Sequence, residues 1–162
     1  MAIRAIRTFG DPVLRQRCTT VTDITDGVRA HVTDLLETVD MDGRAGLAST
    51  QIGNTMRIFS LNICGKISYI INPELETFGE LEPVREGCLS VPDLMFPVLR
   101  YPRARVTGVN LAGQKILIEG DGLLAQALQH ECDHLEGKLY IQRLAPELRR
   151  EAMRQIRGSS WF

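Results

Sequence analysis

The sequence that decides the fold and chemistry of this chain is Gln129-His130-Glu131-Cys132-Asp133-His134-Leu135. It contains the pattern His-Glu-x-x-His. Residues four apart lie on one face of an α-helix, so the imidazoles of His130 and His134 can bind one cation. Glu131 lies next to the first histidine, where its carboxylate can accept a proton from a water without binding the metal. The spacing therefore predicts a helix that binds a metal and activates water.

A helix with two surface histidines is the alternative interpretation of this pattern. Leu128 and Leu135 flank the two histidines along the same stretch. This flanking favours histidines that face the protein interior, where polar rings without partners are costly. Asp133 is interpreted either as a partner that orients a metal ligand or as a solvated helix residue.

A catalytic metal site needs a third protein ligand, which the helix does not identify. A carboxylate is one option, and the candidate side chains with nitrogen or sulfur donors are Cys18, Cys64, Cys88 and His31. Cys88 is the strongest of these because it lies between Gly87 and Pro92, where a turn can direct its thiolate. His31 is interpreted as an exposed residue of the first helix. Cys132 is expected to point away from the two histidines.

The segments on either side of this helix predict an α+β protein. Hydrophobic periodicity predicts helices at 25–39, 121–135 and 146–157. Strands are predicted at 57–63, 68–75, 103–110 and 115–119, the first two as a hairpin around Cys64-Gly65-Lys66. Residues 45–54 are predicted as a loop, and 81–101 as irregular or edge-like because of Pro83, Pro92 and Pro97. The expected fold has mixed or antiparallel strands packed around the metal-binding helix, with further helices near both termini.

Composition excludes several classes of protein. The 162 residues are 44% hydrophobic and 24% charged with a net charge of -1, which is typical of one globular domain over residues 1–162. This balance does not favour sequence-specific nucleic-acid binding, and no apolar run is long enough for a membrane helix. Residues 1–10 lack the apolar stretch of a secretory signal. The four cysteines are expected to be free thiols in a cytoplasmic protein.

Three segments, in order along the chain, resemble the signature motifs of the peptide deformylase family. The second motif, Glu86-Gly87-Cys88-Leu89-Ser90, and the third, at 129–139, match the family in full. The first is Gly-x-Gly-Leu-Ala-Ala-x-Gln in the family and Arg44-Ala45-Gly46-Leu47-Ala48-Ser49-Thr50-Gln51 here. Arg44 thus replaces the first Gly, and Ser49 replaces the second Ala.

The resemblance implies a hydrolase that removes the N-formyl group from the initiator methionine of nascent bacterial-type chains. By match, the metal ligands are Cys88, His130 and His134. They would hold one divalent metal, usually Fe²⁺ in the family, with Zn²⁺, Ni²⁺ or Co²⁺ as substitutes. Glu131 would transfer the proton of the attacking water. The Gln51 amide, otherwise interpreted as a polar loop residue, and the backbone N–H of Leu89 would stabilise the oxyanion.

The same resemblance predicts where substrate and ribosome would bind. Gly46 of the first motif is expected to bind substrate, and the wall of the methionine pocket is expected to include Ala45, Gln126 and Ala127. The side chain of Arg44 is expected to lie along the surface with its guanidinium in water. The last helix carries Arg149, Arg150, Arg154 and Arg157. It is interpreted either as a ribosome-docking element or as a solvated amphipathic helix.

Two alternatives to this function are kept. One is a zinc protease that uses the same His-Glu-x-x-His pattern. The other is a degenerate deformylase-like protein that binds metal or formyl-peptide with little turnover, which only Arg44 and Ser49 favour. Formate release from a formyl-methionyl peptide would separate the predicted enzyme from both.

Overall fold

The strands of this chain form two antiparallel sheets, against which α-helices pack. The structure is a computed structural model that describes residues 3–162. The helices are α1 (Asp26–Val39), α2 (Gly122–Leu135) and α3 (Pro146–Gly158). The strands are β1 (Gly46–Ala48), β2 (Ile58–Ile63), β3 (Lys66–Phe78), β4 (Glu82–Cys88), β5 (Val91–Arg100), β6 (Arg103–Val109) and β7 (Lys115–Asp121). Short 3-10 helices cover Pro12–Arg15, Ser49–Ile52 and Tyr140–Arg143. The fold is therefore α+β, as predicted.

The larger sheet has five strands in the order β1-β2-β3-β6-β7, and each neighbouring pair is antiparallel. The predicted β2–β3 hairpin is confirmed. Cys64 and Gly65 form its two-residue turn with φ of 53° and 79°, which suits the turn type that matches the twist of a hairpin. The sequence also allowed a mixed sheet, which is not found. Within residues 3–162, parallel pairing occurs at an isolated bridge between Thr19 and Met56, outside the named strands.

Residues 81–101 were predicted to be irregular or edge-like, and the edge-like alternative is found. They form β4 and β5, which pair antiparallel as a two-stranded sheet. A two-stranded sheet has two edges, so a proline nitrogen can face away from the ladder without removing a hydrogen bond. The side chain of Pro97 is exposed, between buried Phe96 and Val98.

Helices α1 and α2 cover opposite faces of the five-stranded sheet. Successive strand residues point to opposite faces, and on β2 Ile58 packs with α1 while Phe59 packs with α2. A third cluster joins β5, α3 and the 3-10 helix Tyr140–Arg143. Helix α2 thus packs on one face of the five-stranded sheet, and its His130 ring lies against Tyr140 of the third cluster, with ring centroids 6.4 Å apart. Within residues 3–162 no helix is both long and apolar enough to span a membrane.

Residues 45–54, predicted as a loop, contain β1 and the 3-10 helix Ser49–Ile52. His31 packs against this segment from α1, and its Nε2 lies 2.7 Å from Ser49 Oγ. The expectation that His31 is exposed is therefore wrong: the residue is 6% exposed. Its partner lies on another element, which helix periodicity alone does not reveal.

Candidate active site

Cys88, His130 and His134 converge beside a cleft that Cys88 and His130 line. Cys88 is the last residue of β4, and both histidines lie on α2, one turn apart. The two Nε2 atoms are 3.2 Å apart, and Cys88 Sγ lies 3.3 Å from His134 Nε2. All three ligand atoms lie within 4.8 Å of one another. The structure therefore brings together the three side chains that the sequence singled out as metal ligands.

The donor set of this cluster fits a divalent transition metal. One thiolate and two imidazoles suit iron, zinc, nickel and cobalt, and ligand type alone does not distinguish them. Burial lowers the pKa of His134 well below its usual value, whereas for His130 the lowering by burial is outweighed by Cys88 and Glu86, which raise its pKa. Of the other cysteines, Cys64 is exposed at a turn, whereas Cys18 and Cys132 are buried between α2 and the sheet.

Behind His130 lies a chain of buried ion pairs. Its Nδ1 is 2.5 Å from Glu86 Oε1. The Arg100 guanidinium donates to Glu86 at 2.5 and 2.9 Å and to Asp133 at 2.7 Å. Arg143 donates to Asp133 at 2.5 and 2.6 Å. Asp133 is thus a buried ion-pair partner, and its interpretation as a solvated residue is wrong.

These ion pairs keep both carboxylates ionised. Burial alone would raise the pKa of Glu86, but hydrogen bonds from Arg100 and His130 lower it to about 2. Burial also opposes ionisation of Asp133, and there Arg143 and Arg100 lower the pKa below its usual value. A permanent carboxylate at Nδ1 fixes the ring orientation of His130 and leaves Nε2 directed at the cluster.

Glu131 lies on α2 beside the cluster but is not one of its three members. Its side chain is buried and lines the cleft, and its Oε2 has no hydrogen-bond partner among the residues described. Burial raises its pKa to about 7. Gly46 faces it so closely that a Cβ at that position would lie 2.8 Å from Glu131 Cδ. A glycine is therefore needed there to leave room for the carboxylate.

Gln51 reaches the cluster from the other wall of the cleft. Its Oε1 accepts from the Ala48 N–H at 2.9 Å, which leaves the amide nitrogen pointing inward. Nε2 donates to Ser90 Oγ at 3.2 Å and lies 3.7 Å from Cys88 Sγ. Leu89 occupies the two-residue turn between β4 and β5, directly after Cys88. Both residues predicted to stabilise an oxyanion therefore lie beside the cluster.

The cleft has a volume of about 710 Å³. All four residues predicted to contact substrate line it: Ala45, Gly46, Gln126 and Ala127. The Gln126 amide donates to the Arg85 carbonyl oxygen at 2.8 Å, so its polar end is held by β4. Arg44 also lines the cleft, but its head is not simply in water as expected: Nη1 donates to the Thr38 carbonyl oxygen of α1 at 2.5 Å.

Sequence reasoning missed the ion pairs made by Arg100 and Arg143. One signal for Arg100 was available. Along β5, residues 94, 96, 98 and 100 alternate inward, so Arg100 shares the buried face with Phe96 and Val98. A buried arginine requires an anionic partner. Nothing in the sequence identifies Glu86 as that partner, because the pairing depends on the β4–β5 register.

A cleft beside a Cys/His/His cluster and a buried carboxylate is typical of metal-dependent hydrolases. The comparisons with known proteins agree. The family model described as polypeptide deformylase matches residues 3–150, and this chain belongs to the peptide deformylase family.

Curated relatives cover almost the whole chain. A peptide deformylase of Acidothermus cellulolyticus is 45% identical over 99% of this chain and 89% of its own length. Peptide deformylase 1 of Corynebacterium glutamicum is 38% identical over 100% of this chain and 99% of its own. A crystal structure of the Legionella pneumophila enzyme matches with a TM-score of 0.90 at 34% identity, covering 97% and 95% of the two chains.

Members of this family are metalloenzymes that remove the formyl group from nascent polypeptides, and membership makes this chain a hydrolase of that kind. The comparisons give no support to the zinc protease or to the degenerate binding protein.

Proposed function

We propose that Cys88, His130 and His134 hold one divalent metal, Fe²⁺ in the cell with Zn²⁺, Ni²⁺ or Co²⁺ as substitutes, and that the cleft binds the N-formyl-methionyl end of a nascent chain. The observation that carries this proposal is the convergence of the three ligand atoms within 4.8 Å beside the cleft. A bound cation would supply Lewis-acid activation of the water and of the formyl oxygen.

The remaining chemistry is assigned to residues of the chain. Glu131 accepts a proton as water adds to the formyl carbon, and passes it to the amine when the carbon–nitrogen bond breaks. Formate and a free N-terminus result. As the formyl oxygen becomes negative, Gln51 Nε2 and the Leu89 N–H donate to it. Gln51 is suited to this because its own carbonyl is already engaged by Ala48.

The methionine side chain is assigned to the part of the cleft bounded by Ala45, Gly46 and Ala127, where small side chains leave space. Gln126 contributes its aliphatic stem, since its amide is held by β4.

We further propose a cytoplasmic protein, with residues 1–162 acting as one catalytic domain. Helix α3 has an exposed arginine face, at 149, 150, 154 and 157. That face supports ribosome docking as a proposal, with the solvated helix as the alternative.

The test is formate release from formyl-Met-Ala-Ser by iron-loaded protein kept free of oxygen, together with metal content. Cys88→Ser and His134→Ala should lose tightly bound metal. Glu131→Ala should keep the metal and lose roughly 10²- to 10⁴-fold in kcat. The matched control is Cys64→Ser, at an exposed turn, which should change neither.

Full metal occupancy in both Cys88→Ser and His134→Ala would show that the ligand set is wrong. A near-normal kcat in Glu131→Ala would assign proton transfer to another group.

A further inference from the structure

We propose that His31 and Ser49 form a positioning pair that fixes the turn carrying Gln51. The inference rests on the proposed role of Gln51 as a donor to the formyl oxygen. His31 and Ser49 lie 18 residues apart in sequence, on α1 and at the start of the 3-10 helix Ser49–Ile52. Neither is among the residues that line the cleft, so any effect on the reaction has to pass through a neighbour.

The hydrogen bonds of the pair have a defined direction. Ser49 Oγ donates to the Ile58 carbonyl oxygen of β2 at 2.9 Å. Its single hydrogen is therefore committed, and Ser49 Oγ accepts from His31 Nε2 at 2.7 Å. This assigns the neutral ring with its hydrogen on Nε2. Burial supports the assignment, because it lowers the pKa of His31 to about 4. One hydroxyl thus joins α1 to β2.

From Ser49 the constraint passes to Gln51 through one short turn. The Ser49 carbonyl oxygen accepts from the Asn54 N–H at 3.0 Å, which closes the turn. Ala48, the residue before Ser49, donates its N–H to Gln51 Oε1 at 2.9 Å. The orientation of the Gln51 amide is therefore set by the backbone on which Ser49 is fixed. Oxyanion donors work only when preorganised, and misplacement by about 1 Å can cost 10²-fold in rate.

All of the groups that hold this turn are fully buried or nearly so. Ser49 is 0% exposed, Gln51 1% and His31 6%. Removing the Ser49 hydroxyl would take away the acceptor of the buried His31 N–H and one donor to the Ile58 carbonyl oxygen. The turn is then expected to shift to find partners, and the Gln51 amide would move with it.

A double-mutant cycle on steady-state kinetics tests the pair. Ser49→Ala in the iron-loaded enzyme should lower kcat by about tenfold with little change in KM, an effect smaller than the loss of the Gln51 amide itself, which is on the order of 10²- to 10³-fold. In the Gln51→Ala background, Ser49→Ala should have no further effect on kcat. Independent, multiplying effects would overturn the positioning role.

The same cycle separates this inference from the proposed function. If Gln51→Ala alone leaves kcat unchanged, Gln51 is not the oxyanion donor, and the pair loses its role together with it. If Gln51→Ala lowers kcat and Ser49→Ala lowers it independently, the donor role stands and the positioning role fails.

Thr38→Val is the matched control. Thr38 is equally buried, it lies on α1 like His31, and its hydroxyl oxygen accepts from the Arg4 N–H at 2.9 Å. It does not line the cleft, and no described hydrogen bond joins its side chain to the Ser49–Ile52 turn. The variant should lower the melting temperature without changing kcat. A loss of kcat equal to that of Ser49→Ala would show that any buried hydroxyl in this region has the same effect, and would overturn the proposal.

Substitutions of His31 keep the test decisive if Ser49→Ala fails to fold. His31→Gln retains an N–H donor at a similar reach and should keep kcat, whereas His31→Leu should lower it about as much as Ser49→Ala. Full kcat in both His31 variants would overturn the pair.

Discussion

Behind His130 the supporting groups are three buried charges and one partly exposed arginine, whereas behind Gln51 they are neutral. On the first side, Glu86 and Arg100 are 3% and 2% exposed and continue through Asp133 to Arg143. On the second side, Gln51 is held by a backbone N–H and the hydroxyl of Ser90, and its turn by His31 and Ser49. The two walls of one cleft thus position their groups with different interactions.

This difference has energetic consequences. A buried ion pair is stable only when every charge has its partner, so removal of one member exposes the full desolvation cost of the others. A neutral hydrogen bond contributes less, typically about 1 kcal/mol, and its loss is graded. Removing one member of the ion-paired wall should therefore cause a large loss of stability. Removing one hydrogen bond from the neutral wall should cause a smaller one.

Arg100→Met should give the largest effect. It leaves Glu86 and Asp133 each short of a buried cation, which typically costs about 3–5 kcal/mol. Because Glu86 also orients His130, metal affinity should fall by roughly 10- to 100-fold. Urea unfolding and metal titration measure the two effects.

The control for Arg100→Met is Arg105→Met, which removes an exposed ion pair with Glu76. Exposed pairs contribute little because water screens them, so the stability change should be far smaller. Equal effects for the two arginines would contradict the distinction between the walls.

The neutral wall should instead show a pH dependence of stability that comes from His31. Its pKa is lowered from 6.5 to about 4 in the folded protein by burial, with Arg4 lowering it and Asp34 opposing. Above pH 7 the ring is neutral in both states and makes no difference. As pH falls from 6.5 towards 4, the unfolded chain gains a proton that the folded chain resists, so the free energy of unfolding falls.

The expected contribution from His31 is about 2 kcal/mol between pH 7 and pH 4.5. Urea midpoints of the native protein and of His31→Gln at both pH values measure it as a difference, in which the titration of other groups cancels. The native protein should lose more stability than the variant. Parallel losses in the two proteins would show that His31 is already protonated in the fold.

The contrast between the walls also shows what the sequence can predict. The spacing of His130 and His134 is a local property of one helix. Helix α2 and two of the three candidate ligands could therefore be predicted from the sequence alone. Cys88 followed from a short turn-forming context. The alternation along β5 was equally local, but the prolines of this segment led to the prediction of an irregular or edge-like structure, so the extent of both strands was missed.

The partners on both walls depend on contacts between segments distant in sequence. Arg100 meets Glu86 across 14 residues and Asp133 across 33, and His31 meets Ser49 across 18. Such pairs are set by strand register and helix placement, which periodicity does not contain. For this reason His31 was expected to be exposed, and Ser49 was noted only as a departure from a motif.

The smallest effect is expected from Arg44, which lines the cleft. Its guanidinium donates to the Thr38 carbonyl oxygen in the last turn of α1, where a cation typically stabilises a helix by about 0.3–1 kcal/mol. Arg44→Gly should lower stability by that amount. It should change KM more than kcat, because Arg44 contacts neither the cluster nor Gln51 in any described hydrogen bond or ion pair.

Arg44→Met separates the two functions of this side chain. Methionine keeps the aliphatic stem along the cleft but cannot donate to the Thr38 carbonyl oxygen. The variant should therefore lose the stabilisation that this hydrogen bond provides and retain a KM close to that of the native protein. Steady-state kinetics and thermal unfolding of both variants test this. If kcat falls as much as KM changes in Arg44→Gly, the side chain reaches the reacting groups and the separation is wrong. If the native protein releases no formate and Arg44→Gly restores release, Arg44 blocks the cleft instead of lining it.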